Sequence, residues 1–182
     1  MGVENLRFVI TGGAAGIGAG TARLAASRGA KVVVSDMNDE AGEALVEEIR
    51  AAGGEAVYQH CDVTDESQVE TLMNTAAEAF GGIDILHNNA GIHESMITGD
   101  LSLESMSRDT FEKVMGVNVT GVWLCSKYAL PFLRESDHAS IINAGSTSSL
   151  SGYPQCQAYG ASKGAVMQLS KMLAVDLAVD GV

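Results

Sequence analysis

The sequence predicts an α/β fold in which short parallel strands alternate with helices. Short runs rich in β-branched residues recur along the chain, and a segment with helical spacing of its apolar residues follows each run. One run, Lys31–Asp36, is nearly continuous valine, as expected of a strand that helices cover on both faces of a sheet. With 182 residues, 46% of them apolar, the chain is expected to form one domain over residues 1–182.

The first half of the chain is predicted to hold three strands and three helices. The strands are expected at residues 7–11, 31–36 and 56–61. The first helix follows a glycine-rich turn and runs to about Arg28, and the second covers residues 39–52. The third helix opens with Asp65 and Gln68 in the spacing of a capping box and continues to about Phe80.

The second half continues the same alternation, with strands expected at residues 83–88 and 140–143. A long helix is predicted over residues 109–133, where Pro131 should end or kink it, and a last helix over 156–179. The loop from Ile92 to Met106, about fifteen residues, separates the fourth strand from the long helix. Loops of that length often carry function, so we expect part of the binding site there.

The charge and the cysteines narrow the class of protein. A formal net charge of −12 argues against nucleic acid, whose phosphates need a basic patch, and against an anionic membrane surface. It leaves room for an anionic cofactor, because backbone N–H groups and a helix dipole can hold a nucleotide. Cys61, Cys125 and Cys156 are too far apart for a CxxC motif, and an odd, sparse set indicates reduced thiols in a cytosolic protein. We expect a cytoplasmic protein with no metal site and no membrane-spanning segment.

The turn between the first strand and helix has the sequence Thr11-Gly12-Gly13-Ala14-Ala15-Gly16-Ile17-Gly18. Glycines there permit positive φ and close backbone approach, and the helix N-terminus can face a pyrophosphate. The spacing differs from G-x-G-x-x-G, and a tight packing turn without ligand is the alternative. Asp36 strengthens the dinucleotide interpretation, since it ends the second strand eighteen residues after Gly18, where a carboxylate can accept from both ribose hydroxyls.

Asp36 also bears on the choice of cofactor. Its carboxylate would repel an adenosine 2′-phosphate, and no arginine or lysine stands at Ala14, Ala15 or Met37 to offset that repulsion. NAD is therefore favoured over NADP. The alternative for Asp36, a helix N-cap beside Asn38, is compatible with this role.

Tyr159 and Lys163 are four residues apart in a predicted helix and so share one face. A lysine cation near a phenol in a dry cleft favours the phenolate, which makes proton transfer to or from an oxygen plausible. Taken alone the pair is weak, because a half-buried ring beside a lysine that extends to solvent is the common case.

These features, together with further motifs in a fixed order, resemble those of the classical short-chain dehydrogenase/reductase (SDR) family. The glycine-rich turn matches TGxxxGIG, Asn88-Asn89-Ala90-Gly91 matches NNAG, and Asp62-Val63 is similar to the pair that contacts adenine. Asn118 in the long helix, Ser146, and Tyr159-x-x-x-Lys163 match the active-site asparagine, serine, tyrosine and lysine. The match runs through nearly the whole chain.

The resemblance implies a role for each matched residue. Tyr159 would be the general acid and base, Lys163 would favour its phenolate and bind the nicotinamide ribose, and Ser146 would hold the substrate oxygen. Asn118 would bind a water that links Lys163 to solvent. The implied cofactor contacts are Gly12, Gly16, Ile17, Gly18, Asp36, Met37, Asp62, Val63, Asn89, Ala90, Gly91, Tyr159 and Lys163.

Three of these assignments have alternatives. Asn118 could be a satisfied polar residue within its helix, Ser148 or Ser149 could take the place of Ser146, and Asn88 and Asn89 could simply cap the end of the fourth strand. His93 and Glu94 begin the long loop near the expected substrate opening, where a role in substrate choice is a further hypothesis.

The implied fold is a Rossmann-type doubly wound parallel sheet in the order 3-2-1-4-5, with helices on both faces. The family's sixth and seventh strands and its substrate lid are not present in the 182 residues, and a partial sequence is favoured over a naturally short chain. The implied activity is NAD-dependent hydride transfer with a small-molecule secondary alcohol or ketone, in a homo-oligomer (tetramer or dimer). A nucleotide-binding fragment without turnover is the alternative. An extended-type epimerase or dehydratase is disfavoured, because Gly12, Gly16 and Gly18 do not follow GxxGxxG.

Overall fold

Five parallel strands form the central sheet, in the order β3-β2-β1-β4-β5. The structure is a computed structural model that describes residues 2–182. The strands are β1 (Arg7–Thr11), β2 (Lys31–Asp36), β3 (Glu55–His60), β4 (Ile85–Asn88) and β5 (Ser140–Asn143). The predicted strand order and the Rossmann-type fold class are confirmed.

Six α-helices connect and follow the strands: α1 (Gly16–Ser27), α2 (Asp39–Ala51), α3 (Glu66–Phe80), α4 (Arg108–Met115), α5 (Gly121–Leu133) and α6 (Gln157–Leu177). Asp65 caps α3 by accepting from the N–H groups of Ser67 and Gln68, as its spacing predicts. The Gln68 side chain completes the turn differently from a capping box, because its Oε1 accepts from the N–H of Asp62 rather than of Asp65.

Alternating residues of the inner strands face opposite sides of the sheet. Phe8, Ile10, Val32 and Val34 pack in one apolar cluster, which holds buried residues of α1 and α2. Val9 and Val33 pack in a second cluster with residues of α3 and α5 on the other side. Coverage on both faces explains the continuous valines of β2.

The long helix predicted over residues 109–133 is divided by a π-helical turn. Gly116–Thr120 forms this turn between α4 and α5, and the fully buried Asn118 lies within it. Single π-helical turns occur frequently at functional sites. Pro131 lies inside the last turn of α5, which ends at Leu133, the predicted end of the long helix.

Three smaller boundaries also differ from the prediction. Strand β3 lies one residue earlier than expected, so that Cys61 falls outside it. Strand β4 begins at Ile85 rather than residue 83, because Gly81 and Gly82 adopt positive φ at the end of α3 and delay the extended backbone. Helix α6 covers Gln157–Leu177, with a short 3-10 turn after it instead of two further helical residues.

Candidate active site

The candidate site lies at the carboxyl ends of β1, β4 and β5. The chain proceeds outward from β1 through β2 to β3 and then returns to β4 on the other side of β1. Crevices for ligands in open α/β sheets form at such a reversal of strand order. The glycine-rich turn follows β1, the segment Asn89–Gly91 follows β4, and Ser146 follows β5, so the fold brings three of the predicted motifs to one edge of the sheet.

Two glycines allow the turn after β1 to touch the segment after β4. Gly12 has φ +59°, and a Cβ there would lie 2.8 Å from the Cα of Ala90. A Cβ on Gly18 would lie 2.2 Å from the carbonyl oxygen of Gly12 and 2.6 Å from Nδ2 of Asn89. Position 16 differs, because an added Cβ would meet no atom within 4 Å, and glycine is favoured there only by its φ of +52°.

Hydrogen bonds of Asn89 join the turn after β1 to the segment after β4. Its Nδ2 donates to the carbonyl oxygens of Thr11 (3.0 Å) and Gly12 (2.8 Å). The backbone N–H groups of Asn89 and Ala90 both donate to Oγ1 of Thr11, at 3.1 Å. The side chain therefore shapes the turn, and these two N–H groups are already engaged within the protein.

Asp36 lies beside the same turn. Its Oδ2 accepts from the N–H of Ala14 (3.0 Å) and its Oδ1 from the N–H of Asn38 (3.1 Å). It does not cap α2, because Asn38 fills that role by accepting from the N–H of Ala41. The alternative of a helix cap at Asp36 is thus removed, and the carboxylate stands at the rim of the crevice.

The remaining predicted cofactor residues differ in exposure. Ile17 and Met37 leave 76% and 62% of their surface exposed, as apolar side chains at the rim. Val63 is buried, and a Cβ on Gly121 would lie 2.6 Å from its Cγ2, so it packs against α5. Asp62 holds the following turn, with Oδ1 accepting from the N–H (2.9 Å) and hydroxyl (2.7 Å) of Thr64.

Lys163 is buried beside Tyr159 on α6. Its Nζ lies 5.7 Å from the centre of the Tyr159 ring and donates to the carbonyl oxygen of Ala144 at 2.7 Å. Only 5% of the lysine surface is exposed, and this burial lowers its pKa from the ordinary value. The alternative of a lysine that extends to solvent is therefore wrong, whereas the Tyr159 ring is half-buried at the crevice.

Asn118 joins three segments of the site from the π-helical turn. Its Oδ1 accepts from the N–H of Ile92 (2.8 Å), and its Nδ2 donates to the carbonyl oxygen of Ile92 (2.9 Å) and to Oγ of Ser162 (2.9 Å). Ser162 in turn donates to the carbonyl oxygen of Tyr159 at 2.7 Å. A Cβ on Gly91 would lie 3.3 Å from Oδ1 of Asn118 and 3.6 Å from Nζ of Lys163, which brings the NNAG segment to the same point.

Ser146 begins a short 3-10 turn after β5. Its Oγ accepts from the N–H of Ser148 at 3.1 Å, and the residue is half-buried. Ser149 has a separate role, because its hydroxyl donates to the carbonyl oxygen of Lys163 at 2.9 Å. Among Ser146, Ser148 and Ser149, it is thus the hydroxyl of Ser149 that hydrogen-bonds the backbone of α6.

Comparison with known proteins identifies the family of this chain. The family model described as short chain dehydrogenase matches residues 7–182. The chain belongs to the short-chain dehydrogenase/reductase family. A solved SDR structure from Burkholderia phymatum, in complex with NAD, superposes with a TM-score of 0.91 at 35% identity, covering 97% of this chain and 62% of that one.

Curated SDR relatives match over nearly all of this chain. An uncharacterized oxidoreductase of Bacillus subtilis is 38% identical over 99% of the chain and 64% of its own length. The 2,5-dichloro-2,5-cyclohexadiene-1,4-diol dehydrogenase of Sphingobium indicum is 39% identical, covering 96% and 68%. Secoisolariciresinol dehydrogenase of Forsythia intermedia is 40% identical, covering 99% and 63%. The chain thus spans about two thirds of the length of these relatives.

The structure of this SDR chain also reveals contacts around Tyr159 made by His93 and Glu94, for which the sequence suggested only a role in substrate choice. The His93 ring lies 4.9 Å from the Tyr159 ring, centre to centre, and its Nε2 lies 3.3 Å from Sγ of Cys156. Glu94 is fully buried and accepts from the backbone of α6. No local motif marks these contacts, since they join positions more than sixty residues apart.

A separate observation concerns membranes. Among residues 2–182, no helix combines the length and the apolar character that crossing a bilayer requires.

Proposed function

We propose that this SDR chain carries the catalytic residues of an NAD-dependent oxidoreductase, which transfers hydride between nicotinamide and a secondary alcohol or ketone. The observation that carries the proposal is the buried ammonium of Lys163 beside the half-buried phenol of Tyr159, at the crevice where the glycine-rich turn meets Ala90. A fixed cation beside a phenol favours the phenolate, the form that can accept a proton from an alcohol.

The proton steps follow from the chain's own residues. In alcohol oxidation, Tyr159 Oη would accept the hydroxyl proton, and in ketone reduction it would donate that proton back. Ser146 holds the substrate oxygen by a hydrogen bond and stabilises charge that develops on it. Lys163 is held in place by the carbonyl of Ala144, and Asn118 fixes the backbone carbonyl of Tyr159 through Ser162.

The residues at the turn fit NAD. Ala15, at the N-cap of α1, has no side-chain hydrogen bond to the first-turn N–H groups, so a phosphate can accept from them. Exposed Ile17 and Met37 give the rim apolar surface that an adenine ring can cover. Asp36 suits the free ribose hydroxyls of NAD and repels the 2′-phosphate of NADP. When bound, NAD supplies the nicotinamide that accepts or donates the hydride.

The substrate class is supported by the relatives' names. One is a dehydrogenase of a cyclohexadiene diol, and another, from Sinomonas cyclohexanicum, is a cis-4-hydroxycyclohexanecarboxylate dehydrogenase, 38% identical over 96% of this chain. Both names describe alcohols on a six-membered ring. We therefore propose a cyclic secondary alcohol as the first substrate to test.

A second candidate is nucleotide binding without turnover, since the chain spans about two thirds of its relatives' length. Assays with cyclohexanol and cis-4-hydroxycyclohexanecarboxylate, each with NAD and with NADP, separate the two by NADH or NADPH absorbance. Turnover with NAD supports the oxidoreductase. NADH binding, seen by fluorescence, without turnover supports the second candidate, and no binding contradicts both. The proposed domain (residues 1–182), cytoplasmic location and homo-oligomer remain predictions.

A further inference from the structure

Glu94 is an unusual carboxylate in this chain. Among the acidic residues of the described part, residues 2–182, only Glu94 and Asp84 are buried. Asp84 is paired with the guanidinium of Arg7, whereas Glu94 has no lysine or arginine within salt-bridge distance. A buried carboxylate is costly unless hydrogen bonds or charges compensate it, so its partners indicate its role.

Those partners are the first turn of α6. Oε1 of Glu94 accepts from the N–H of Ala158 and Oε2 from the N–H of Tyr159, each at 3.1 Å. These are the second and third residues of the helix, whose N–H groups a capping side chain normally satisfies. The residue at the N-cap itself, Cys156, makes no such hydrogen bond. Glu94 thus caps the N-terminus of α6 from a loop 64 residues earlier in the chain, and its negative charge interacts favourably with the positive end of the helix dipole.

His93 does not neutralise this carboxylate. The Nδ1 of His93 lies 3.6 Å from Oε2 of Glu94 but accepts a hydrogen bond from the N–H of Ser95 at 3.1 Å. An accepting Nδ1 carries no proton, so the ring's proton is on Nε2, which faces Sγ of Cys156. The helix N–H groups therefore supply the hydrogen bonds that hold Glu94.

The cap acts directly on the residue that the proposed reaction needs. Tyr159 is held at its N–H by Glu94 and at its carbonyl oxygen by Ser162, which Asn118 positions. The loop that carries Glu94 is itself anchored two residues earlier, where Ile92 exchanges two hydrogen bonds with Asn118. Displacing a reacting group by about 1 Å can lower a rate by about 100-fold, so a loose first turn has a large effect on proton transfer.

We propose that Glu94 is a positioning residue, whose carboxylate caps α6 from the substrate-side loop and fixes the backbone from which Tyr159 reaches the substrate. This inference rests on the proposed function. It assigns Glu94 to the proton-transfer step rather than to cofactor binding, because its hydrogen bonds go to α6 and not to the glycine-rich turn.

The test compares Glu94→Ala, Glu94→Gln and the control Glu104→Ala, which removes an exposed glutamate of the same loop. Four kinds of measurement are made: amide hydrogen exchange at Ala158 and Tyr159, kcat and KM for cyclohexanol with NAD, the Kd of NADH, and the free energy of unfolding in urea. For Glu94→Ala we expect exchange at both amides to become about tenfold faster, kcat to fall about tenfold or more, and the Kd to change by less than about threefold. Glu104→Ala should match the wild type.

Glu94→Gln should lie between the two, because its carbonyl oxygen can still accept from one N–H. If Glu94→Ala does not fold, Glu94→Gln tests the inference instead, which then predicts a lower kcat with a nearly unchanged Kd of NADH. Unchanged exchange and kcat, or equal losses in kcat, NADH binding and the free energy of unfolding, would overturn the inference. A wild-type chain without turnover overturns the proposed function and the reaction role of Glu94, while amide exchange still decides separately whether Glu94 caps the helix.

Discussion

The burial of Lys163 distinguishes its pairing with Tyr159 from the many tyrosine–lysine pairs that occur at helical spacing. A lysine four residues after a tyrosine is common, and its ammonium usually extends to water. Here the ammonium is buried, where it loses hydration, and the carbonyl oxygen of Ala144 at 2.7 Å replaces part of what water supplied. The lowered pKa of Lys163 records that cost. In the proposed reaction, the neighbour that this charge serves is Tyr159.

In the proposed function, Asp36 governs the choice between NAD and NADP. Asp36→Asn removes the negative charge and keeps only one of the two oxygens that separately accept from the N–H groups of Ala14 and Asn38. We expect the Kd of NADH to rise about tenfold and that of NADPH to fall, because a charged hydrogen bond is lost and the repulsion of the 2′-phosphate disappears. Fluorescence titration with both cofactors measures this. The control Glu40→Gln, which neutralises an exposed glutamate on the same segment, should leave both Kd values unchanged. If Asp36→Asn leaves the ratio of the NADH Kd to the NADPH Kd unchanged, this would count against NAD selection by Asp36.

At the scale of the element, the glycine-rich turn depends on contact rather than on flexibility alone. Gly18→Ala would place a Cβ 2.2 Å from the carbonyl oxygen of Gly12, so the turn must move away from Asn89 and Ala90. We expect NADH affinity to fall more than about tenfold and the free energy of unfolding to fall by about 1–3 kcal/mol. Titration and urea unfolding check the two effects.

The matched control is Gly20→Ala, two residues further along α1, where no atom lies within 4 Å of the added Cβ. Alanine favours the helix over glycine by about 1 kcal/mol, so this variant should bind NADH normally and be equally or more stable. Equal behaviour of the two alanine variants would contradict the close approach inferred for Gly18.

The elements themselves were largely predictable from sequence, and the connections between them were not. The strands and the glycine-rich turn follow from local patterns of valine and glycine in β1, β2 and the turn, whereas the strand order came from the family resemblance. The π-helical turn has no such pattern, because it positions Asn118 to exchange two hydrogen bonds with Ile92, 26 residues earlier. Burial of Lys163 and capping of α6 by Glu94 likewise depend on distant segments. Spacing along one helix cannot reveal such contacts.

At the scale of the whole molecule, the end of the sheet opposite the candidate site is held by an ion pair. Nε of Arg7 donates to Oδ2 of Asp84 at 2.8 Å, and the hydroxyl of Ser136 also donates to this carboxylate. Burial of Asp84 opposes its ionisation, but the hydrogen bonds from Arg7 and Ser136 outweigh this and hold its pKa at about 2, below the ordinary 3.8. These contacts join β1, the segment before β4 and the segment before β5.

Acid should therefore weaken the fold in a defined range. A carboxyl whose pKa is lowered by folding stabilises the protein above its unfolded value, and this contribution is lost as the pH falls from about 4 to about 2. Because the Arg7 side chain is 24% exposed and partly screened by solvent, we expect about 1–2 kcal/mol. Urea unfolding across this range should show the loss in wild type and a smaller one in Asp84→Asn, which is less stable at neutral pH. Asp137→Asn, an exposed neighbour, should resemble wild type, and an identical acid dependence in all three would refute the role of Asp84.

In the proposed reaction, Tyr159 transfers the proton while the rest of the crevice binds the cofactor. Tyr159→Phe keeps the ring beside His93 and Lys163 and removes only the hydroxyl. The most direct measurement is turnover of a cyclic secondary alcohol with NAD, taken together with the Kd of NADH, for wild type and this variant. We expect turnover to fall by about 100-fold or more, as for loss of a general acid and base, while the Kd changes by less than about threefold. A variant that turns over at the wild-type rate would contradict this role of Tyr159.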